Sequence, residues 1–171
     1  NSFCTLLVSS MGRLDVRIVE ARNLPDTQWV SKIDPYVKVK LENQSHKTRV
    51  IDNSTSPKWD EVFKFTVADE NSSQMKLELW NSNVMSDEFL GQYTLSLSGL
   101  TRGVVRDEWF LLQQCKSNAE VHVRLMAHDF GKDPTPEQRA QMQQQGGGSP
   151  QPQQGGYPPQ GQQGGYPPQQ G

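Results

Sequence analysis

Cationic side chains alternate with apolar ones over a short segment of the chain, and this pattern predicts a surface that can bind anions. In residues 36–41, Lys38 and Lys40 alternate with two valines and a leucine, the period-two pattern of a half-buried strand. Lys47 and Arg49 share a face of the next predicted strand. Because these strands are expected to be neighbours, Lys38, Lys47 and Arg49 are predicted to lie on one face and to suit a phosphate group.

Two aromatic residues are predicted on the same face. In residues 75–80, Met75, Leu77 and Leu79 occupy core positions, so Trp80 falls on the polar side of the strand. A solvated strand face explains lysines well but does not explain a tryptophan among them. We therefore expect Tyr36 and Trp80 to flank a basic groove.

Apolar residues also occur in two predicted loops. Trp29 and Val30 are adjacent in the loop before residue 36, and Val84 and Met85 are adjacent in the loop after residue 80. A tryptophan ring suits a membrane interface because it combines apolar surface with one N–H donor. The alternative, in which Trp29 folds back over the end of the domain, is equally compatible with the sequence.

The elements that must position these residues are strands. Alternating apolar residues, separated by loops rich in turn-forming residues, predict eight short strands and no long amphipathic helix. The predicted strands cover residues 14–20, 36–41, 46–50, 63–67, 75–80, 90–97, 109–112 and 121–125. This number of short strands favours an all-β fold, an eight-stranded antiparallel β-sandwich.

Composition divides the chain into three parts. Residues 1–11 are interpreted as an N-terminal extension and residues 12–131 as the folded domain. Residues 132–171 form a Gln/Gly/Pro-rich tail with almost no aliphatic residues, predicted to be disordered beyond a short helix from about residue 134 to residue 144. The sequence Gln-Gly-Gly-Tyr-Pro-Pro-Gln occurs twice in this tail and offers a surface for protein partners.

Charge and cysteine content exclude several classes of protein. A net charge of −2 over 171 residues argues against nucleic-acid binding. Cys4 and Cys115 form neither a disulfide framework nor a metal-binding pattern, which favours a reducing, cytoplasmic setting. The three histidines lack a neighbouring nucleophile or metal-ligand spacing, so no enzymatic activity is expected. We expect a monomer that associates peripherally with membranes.

Three motifs resemble the C2 domain family. They are Asp-Pro-Tyr-Val-Lys-Val at residues 34–39, Ser-Pro-Lys-Trp-Asp-Glu-Val-Phe at 56–63 and Glu-Phe-Leu-Gly at 88–91. The resemblance covers about residues 12–131 and is closest to the circularly permuted, type II topology. It implies a domain that commonly binds calcium at the tip of the sandwich and docks on anionic lipid. Small proteins with one C2 domain and a Gly-Tyr-Pro-Pro tail look similar overall.

The resemblance also assigns roles to individual residues. Tyr36, Lys38, Lys47, Arg49 and Trp80 match the positions of a groove that holds a phosphoinositide headgroup in some C2 domains. The apolar pairs in the two loops match positions that insert into membranes in several family members. The two assignments agree with the cationic face and the apolar loops inferred from the residues themselves.

The calcium site that the resemblance implies is degenerate. Its five expected carboxylate positions are occupied by Gln28, Asp34, Asn81, Asn83 and Glu88, so two carboxylates remain. Calcium prefers about six to eight oxygen ligands, and its affinity rises with the number of negative charges on them. Calcium is therefore a possible but not a favoured ligand, and no other cofactor is expected.

The sequence thus favours a membrane-docking module that binds anionic phospholipids, preferentially phosphoinositides, with weak or no calcium dependence. Two alternatives stay open. One is a protein-interaction adaptor that uses the basic face and the tail. The other is a low-affinity, calcium-dependent phospholipid sensor.

Overall fold

The structure, a computed structural model, describes residues 11–26 and 31–146. Within these residues the chain forms eight strands, a short 3-10 turn at Leu97–Gly99 and one helix. The elements are β1 Gly12–Arg22, β2 Pro35–Leu41, β3 Gln44–Lys47, β4 Lys58–Val67, β5 Gln74–Asn81, β6 Glu88–Ser96, β7 Arg106–Leu111, β8 Glu120–Ala127 and α1 Pro136–Gly146.

The strands form two four-stranded antiparallel sheets that pack face to face. The strand order is β4-β1-β8-β7 in the first sheet and β3-β2-β5-β6 in the second. The predicted core positions of β1 and β2, such as Val16 and Ile18 in β1 and Val37 and Val39 in β2, are fully buried between the sheets. The prediction of an eight-stranded antiparallel sandwich is confirmed.

Strand β3 is shorter than predicted and begins earlier, at Gln44–Lys47 instead of residues 46–50. The reason is the buried side chain of Thr48. Its hydroxyl accepts a hydrogen bond from the Val37 backbone N–H at 3.0 Å. In a continued β2–β3 ladder the acceptor of this N–H would be a backbone carbonyl. The regular alternation of side chains therefore ends at Lys47, and Arg49 is no longer part of a strand.

The edges of the two sheets are joined by side chains from β3. The Gln44 amide donates to the Thr66 carbonyl at 2.6 Å and accepts from the Thr66 N–H at 2.9 Å. The His46 ring stacks on Phe63 of β4, with their centroids 5.5 Å apart. These contacts hold β3 in place, although it pairs with β2 through only four residue pairs.

The helix predicted at the start of the tail is confirmed as α1. Strand β6 ends at Ser96, so Leu97, predicted as its last inward residue, lies in the 3-10 turn but is still buried. Among residues 11–26 and 31–146, no helix combines the length and hydropathy needed to cross a membrane. The N-terminal extension up to residue 10, and the tail from residue 147, including its repeat, lie outside the described residues.

Candidate anion-binding site

The strand register brings four predicted site residues together on the outer face of the second sheet. Lys38 of β2 lies opposite Lys47 of β3, and Tyr36 of β2 lies opposite Trp80 of β5. Because alternate residues of β2 point inward, Tyr36 and Lys38 share the outward side of the strand. We call the set Tyr36, Lys38, Lys47 and Trp80 the cationic face.

The two ammonium groups of the cationic face lie over aromatic rings. Lys38 Nζ is 4.2 Å from the centroid of the Trp80 ring and 5.8 Å from that of Tyr36. Lys47 Nζ is 5.9 Å from the Tyr36 centroid. Tyr36 itself is only 3% exposed. This geometry holds the cations by the π faces of the rings and leaves them able to contact an anion.

Two further lysines on the same sheet share one carboxylate. Glu78 lies between Lys40 and Lys76, with oxygen–nitrogen distances of 3.0 Å and 3.4 Å, and accepts a hydrogen bond from Trp80 Nε1 at 3.1 Å. Burial opposes ionisation of Glu78, but the hydrogen bonds from Lys40 and Trp80 outweigh it and hold its pKa below the usual value. Glu78 therefore compensates one of the two positive charges, and both ammonium groups are bound to a carboxylate within the protein.

Lys38 and Lys47 differ from these two lysines because neither forms an ion pair with any described residue. Glu78 lies opposite Lys38 in the ladder, but its oxygens are bound to Lys40, Lys76 and Trp80. Two like charges directly opposite each other destabilise a sheet. The cationic face therefore retains positive charge that the described part of the chain leaves without a bound carboxylate.

Asp87 borders the cationic face and is a residue that the sequence analysis did not assign to it. The Tyr36 hydroxyl donates to Asp87 Oδ2, and Asp87 Oδ1 accepts from the Asn83 N–H at 3.2 Å. The hydroxyl's hydrogen bond lowers the pKa of Asp87, and the charges of Lys38 and Lys47 lower it further. Burial and the Asp87 carboxylate both raise the pKa of Tyr36, so its hydroxyl stays protonated as a donor.

Arg49, the fifth predicted groove residue, does not contact the cationic face in the way the sequence predicted. Its guanidinium donates to the Lys58 carbonyl at 3.3 Å and lies 4.0 Å from Glu61, while its backbone N–H donates to Glu61 at 2.9 Å. Both partners belong to β4 of the other sheet. The side chain turns towards β4 because the chain leaves the β3 ladder at Thr48.

The described calcium positions are brought together at the ends of β2, β5 and β6, and several of their oxygens accept hydrogen bonds within the protein. Asn81 Oδ1 accepts from the Asp34 backbone N–H at 2.8 Å, and Asn81 Nδ2 lies 3.5 Å from Glu88. Asp34 Oδ1 accepts from the Asn53 N–H at 2.7 Å. Asn83 is in the following loop, with its N–H bonded to Asp87.

These contacts occupy part of the oxygen set that a cation would need. The oxygen of the buried Asn81 is already used by a backbone donor, and its amide nitrogen faces Glu88. Over residues 11–26 and 31–146, no group of three or more histidine, cysteine, aspartate or glutamate residues is arranged to hold a metal ion. Gln28 lies outside the described residues. The arrangement is that of a hydrogen-bonded loop junction.

The loop between β5 and β6 carries the apolar pair that the sequence singled out. Val84 and Met85 are fully exposed, and Asp87, two residues beyond Met85, attaches the end of this loop to Tyr36. Phe89 at the start of β6 contacts Trp80 edge to face, with the ring centroids 5.4 Å apart. The cationic face and the exposed loop are therefore neighbours. The other predicted pair, at positions 29 and 30, lies outside the described residues.

Comparison with known proteins identifies the family. The family model described as the C2 domain matches residues 12–112. Extended synaptotagmin-3 of Xenopus tropicalis is 32% identical over 120 residues, which make up 67% of this chain and 13% of that protein. A protein of Arabidopsis thaliana named Calcium-dependent lipid-binding protein is 27% identical over 138 residues, 75% of this chain and 27% of the relative.

Solved structures show the same fold. An isolated C2 domain of plant Extended Synaptotagmin 1 matches with a TM-score of 0.65 at 26% identity, covering 70% of this chain and 95% of that one. A chain of Extended-Synaptotagmin 2 that contains two C2 domains matches with a TM-score of 0.60 at 30% identity, covering 68% of this chain and 40% of that one. This chain spans well under a third of either curated relative.

Proposed function

This chain belongs to the C2 domain family, and on that premise we propose that it is a non-enzymatic module that docks on membranes containing anionic phospholipids. Its ligand is the phosphate of a lipid headgroup, preferentially that of a phosphoinositide, and docking does not require calcium. The name of the Arabidopsis relative, Calcium-dependent lipid-binding protein, supports lipid as the ligand class. The independence from calcium is proposed from the residues of this chain.

The observation that carries the proposal is the contrast among the four lysines of the second sheet. Lys40 and Lys76 lie opposite each other and share Glu78, whereas Lys38 and Lys47 lie opposite each other with no ion pair among the described residues. Two ammonium groups beside one tyrosine ring provide charge and hydrogen-bond donors for one phosphate. Near an anionic membrane each such cation contributes about 1 kcal/mol of binding free energy.

The loop junction supports calcium independence. Asn81 and Asn83 are neutral, and the side-chain oxygen of Asn81 accepts from the Asp34 N–H. A site with five carboxylates and no bound cation would repel anionic lipid. A junction with fewer carboxylates repels it less. The exposed Val84 and Met85 can then enter the membrane interface while the cationic face binds headgroups.

The test is co-sedimentation of the full chain with phosphatidylcholine vesicles, with and without phosphatidylinositol bisphosphate, in the presence of a calcium chelator. The double variant Lys38→Ala/Lys47→Ala should bind the anionic vesicles roughly thirtyfold more weakly, since two membrane-facing charges are lost. Raising the salt concentration should weaken wild-type binding, because the contacts are electrostatic and exposed.

Two controls separate the cationic face from general charge. Lys58→Ala/Lys64→Ala removes two exposed charges from β4 on the opposite sheet and should leave binding nearly unchanged. Arg49→Ala should also have little effect, because its guanidinium contacts β4. A requirement for added calcium would contradict the proposal and support the sensor alternative. Absence of wild-type binding to any vesicle would favour the adaptor alternative.

A further inference from the structure

The cationic face already contacts one anion, which belongs to the protein. Asp87 accepts the hydroxyl hydrogen bond of Tyr36, and the ring of Tyr36 has Lys38 Nζ and Lys47 Nζ at 5.8 Å and 5.9 Å from its centroid. The same hydroxyl and the same two ammonium groups are the donors available to a phosphate. A ligand that uses all three must approach the position of the Asp87 carboxylate.

We propose that Asp87 is an internal competitor of phosphate ligands, whose carboxylate must leave the Tyr36 hydroxyl before a phosphate can bind the cationic face. This inference rests on the proposed function, because it concerns the same site. Two anions cannot share one hydroxyl donor, and a carboxylate that stays beside a phosphate repels it. Asp87 therefore lowers the affinity of the face and favours ligands with enough charge to displace it.

The proposal has a consequence for the loop between β5 and β6. Asp87 is bonded to Tyr36 of β2 through one oxygen and to the Asn83 N–H through the other. Val84 and Met85 lie between Asn83 and Asp87 in the chain and are fully exposed. Displacement of the carboxylate removes one of the bonds between this loop and the β2 end of the sheet, so phosphate binding and rearrangement of the apolar pair are coupled.

The opposite assignment is that the Asp87 carboxylate is a structural cap for its loop and has no effect on ligands. The two assignments differ in the effect of neutralising the side chain. Asparagine keeps an oxygen that can accept the Tyr36 hydroxyl but carries no charge. If Asp87 is a competitor, Asp87→Asn removes the repulsion between the carboxylate and the phosphate, and the protein's affinity for phosphate rises. If Asp87 is a structural cap, Asp87→Asn weakens the loop, and the affinity for phosphate stays constant or falls.

The experiment compares wild type, Asp87→Asn and Asp52→Asn, in which Asp52 is an exposed aspartate of the loop after β3. The control removes the same charge away from the Tyr36 hydroxyl. Each protein is titrated with vesicles of phosphatidylcholine and phosphatidylinositol bisphosphate, and separately with free inositol trisphosphate, in chelator. The second titration shows whether an effect belongs to phosphate binding itself or requires the membrane.

Asp87→Asn should bind both probes about fivefold more tightly than wild type, the effect of removing one nearby like charge, and Asp52→Asn should match wild type. In wild type, inositol trisphosphate should shift the amide resonance of Asn83, whose N–H is bonded to Asp87. An Asn83 resonance that stays in place while phosphate binds would overturn the displacement.

The remaining outcomes separate this inference from the proposed function. If Asp87→Asn binds the probes as well as wild type or more weakly, and wild type still binds vesicles, the competitor role of Asp87 is overturned and the proposal of membrane docking stands. If Asp87→Asn binds the probes and wild type does not, the competitor role of Asp87 is supported, and the proposal that the wild-type chain docks on membranes is overturned. Binding of neither probe by either protein overturns both.

Discussion

Both sheets of the sandwich place like charges opposite each other on their outer faces, but the two sheets differ in how these charges are paired with carboxylates. On the first sheet Arg17 of β1 lies opposite Arg124 of β8. Arg17 forms two hydrogen bonds to Asp60, at 2.7 Å and 3.0 Å, and Arg124 donates to Asp107 at 2.8 Å. The two arginines are therefore bound to different carboxylates.

The second sheet has two such pairs, and they differ in whether the lysines contact a carboxylate directly. Glu78 forms ion pairs with both Lys40 and Lys76. Lys38 and Lys47 form no ion pair with a described residue, although their charges act on the nearby Asp87 carboxylate. Opposed like charges cost stability in a sheet, and the first sheet shows that this fold can compensate them. The candidate site is therefore marked by the lysine pair that makes no direct ion pair with a described residue, and not by the number of basic residues.

The largest effect is expected from removing the carboxylate that makes the two lysine pairs different. Glu78→Gln should lower the free energy of unfolding by about 1–2 kcal/mol, because a buried acceptor of three donors loses its charge. It should also raise the affinity for anionic vesicles about fivefold, since Lys40 and Lys76 then resemble Lys38 and Lys47. Urea denaturation and vesicle co-sedimentation measure the two changes.

The matched control is Glu108→Gln on the first sheet. Glu108 forms an exposed ion pair with Arg106 at 2.9 Å, and exposed pairs contribute little to stability. Its loss should change neither quantity appreciably. If Glu78→Gln behaves like Glu108→Gln, then Glu78 does not distinguish the two lysine pairs, and the comparison on which the site was identified is wrong.

A smaller change in the free energy of unfolding is expected when a carboxylate of the first sheet loses its charge. Asp107 binds both His122 and Arg124, and its side chain is 43% exposed. Asp107→Asn should therefore lower the free energy of unfolding by less than about 1 kcal/mol, because water replaces much of the lost interaction. It should also make Arg124 available to anions beside Arg17.

Backbone amide shifts on addition of inositol trisphosphate test this second effect. In wild type we expect shifts at Lys38 and Lys47 and none at Arg17 and Arg124. In Asp107→Asn, the amide of Arg124 should begin to shift, while the response of the cationic face stays the same. Equal shifts on both faces of the wild-type chain would show that internal ion pairing does not decide where anions bind.

Much of the fold follows from the sequence because burial in a sandwich has a period of two. Leu14 and Val16 alternate with charged residues in β1, and this alternation alone places them in the core. The same rule places Lys38 and Tyr36 on one outward face of β2. Where the alternation is interrupted the prediction was wrong: the Thr48 hydroxyl replaces a backbone acceptor, and Arg49 consequently contacts the other sheet.

The side-chain partners within the candidate site could not be predicted in the same way. The bond between Tyr36 and Asp87 joins residues 51 positions apart and depends on the conformation of the β5–β6 loop, which has no periodicity. The ion pairs of Lys40 and Lys76 depend on the rotamer of Glu78. One signal was present in the sequence: Glu78 is two residues before Trp80, so both must lie on the same side of β5.

The smallest predicted effect is a loss of folding stability in acid, which can be compared between carboxylates of the two sheets. The Arg17 hydrogen bond lowers the pKa of Asp60, the His122 hydrogen bond lowers that of Asp107, and the Tyr36 hydroxyl lowers that of Asp87. A group with a lowered folded-state pKa stabilises the fold above its unfolded-state pKa and loses this contribution as the pH falls through the folded-state value.

The free energy of unfolding should therefore stay constant from neutral pH down to about pH 4 and fall below it, because unfolded aspartates titrate near that pH. Asp60→Asn should be less stable than wild type at neutral pH and should converge with wild type in acid, since the Arg17 interaction is already absent. Asp87→Asn should show the same convergence on the second sheet. Urea denaturation at a series of pH values measures both, and a constant difference from wild type at every pH would contradict the prediction, because an interaction with an ionised carboxylate must disappear when that carboxylate is protonated.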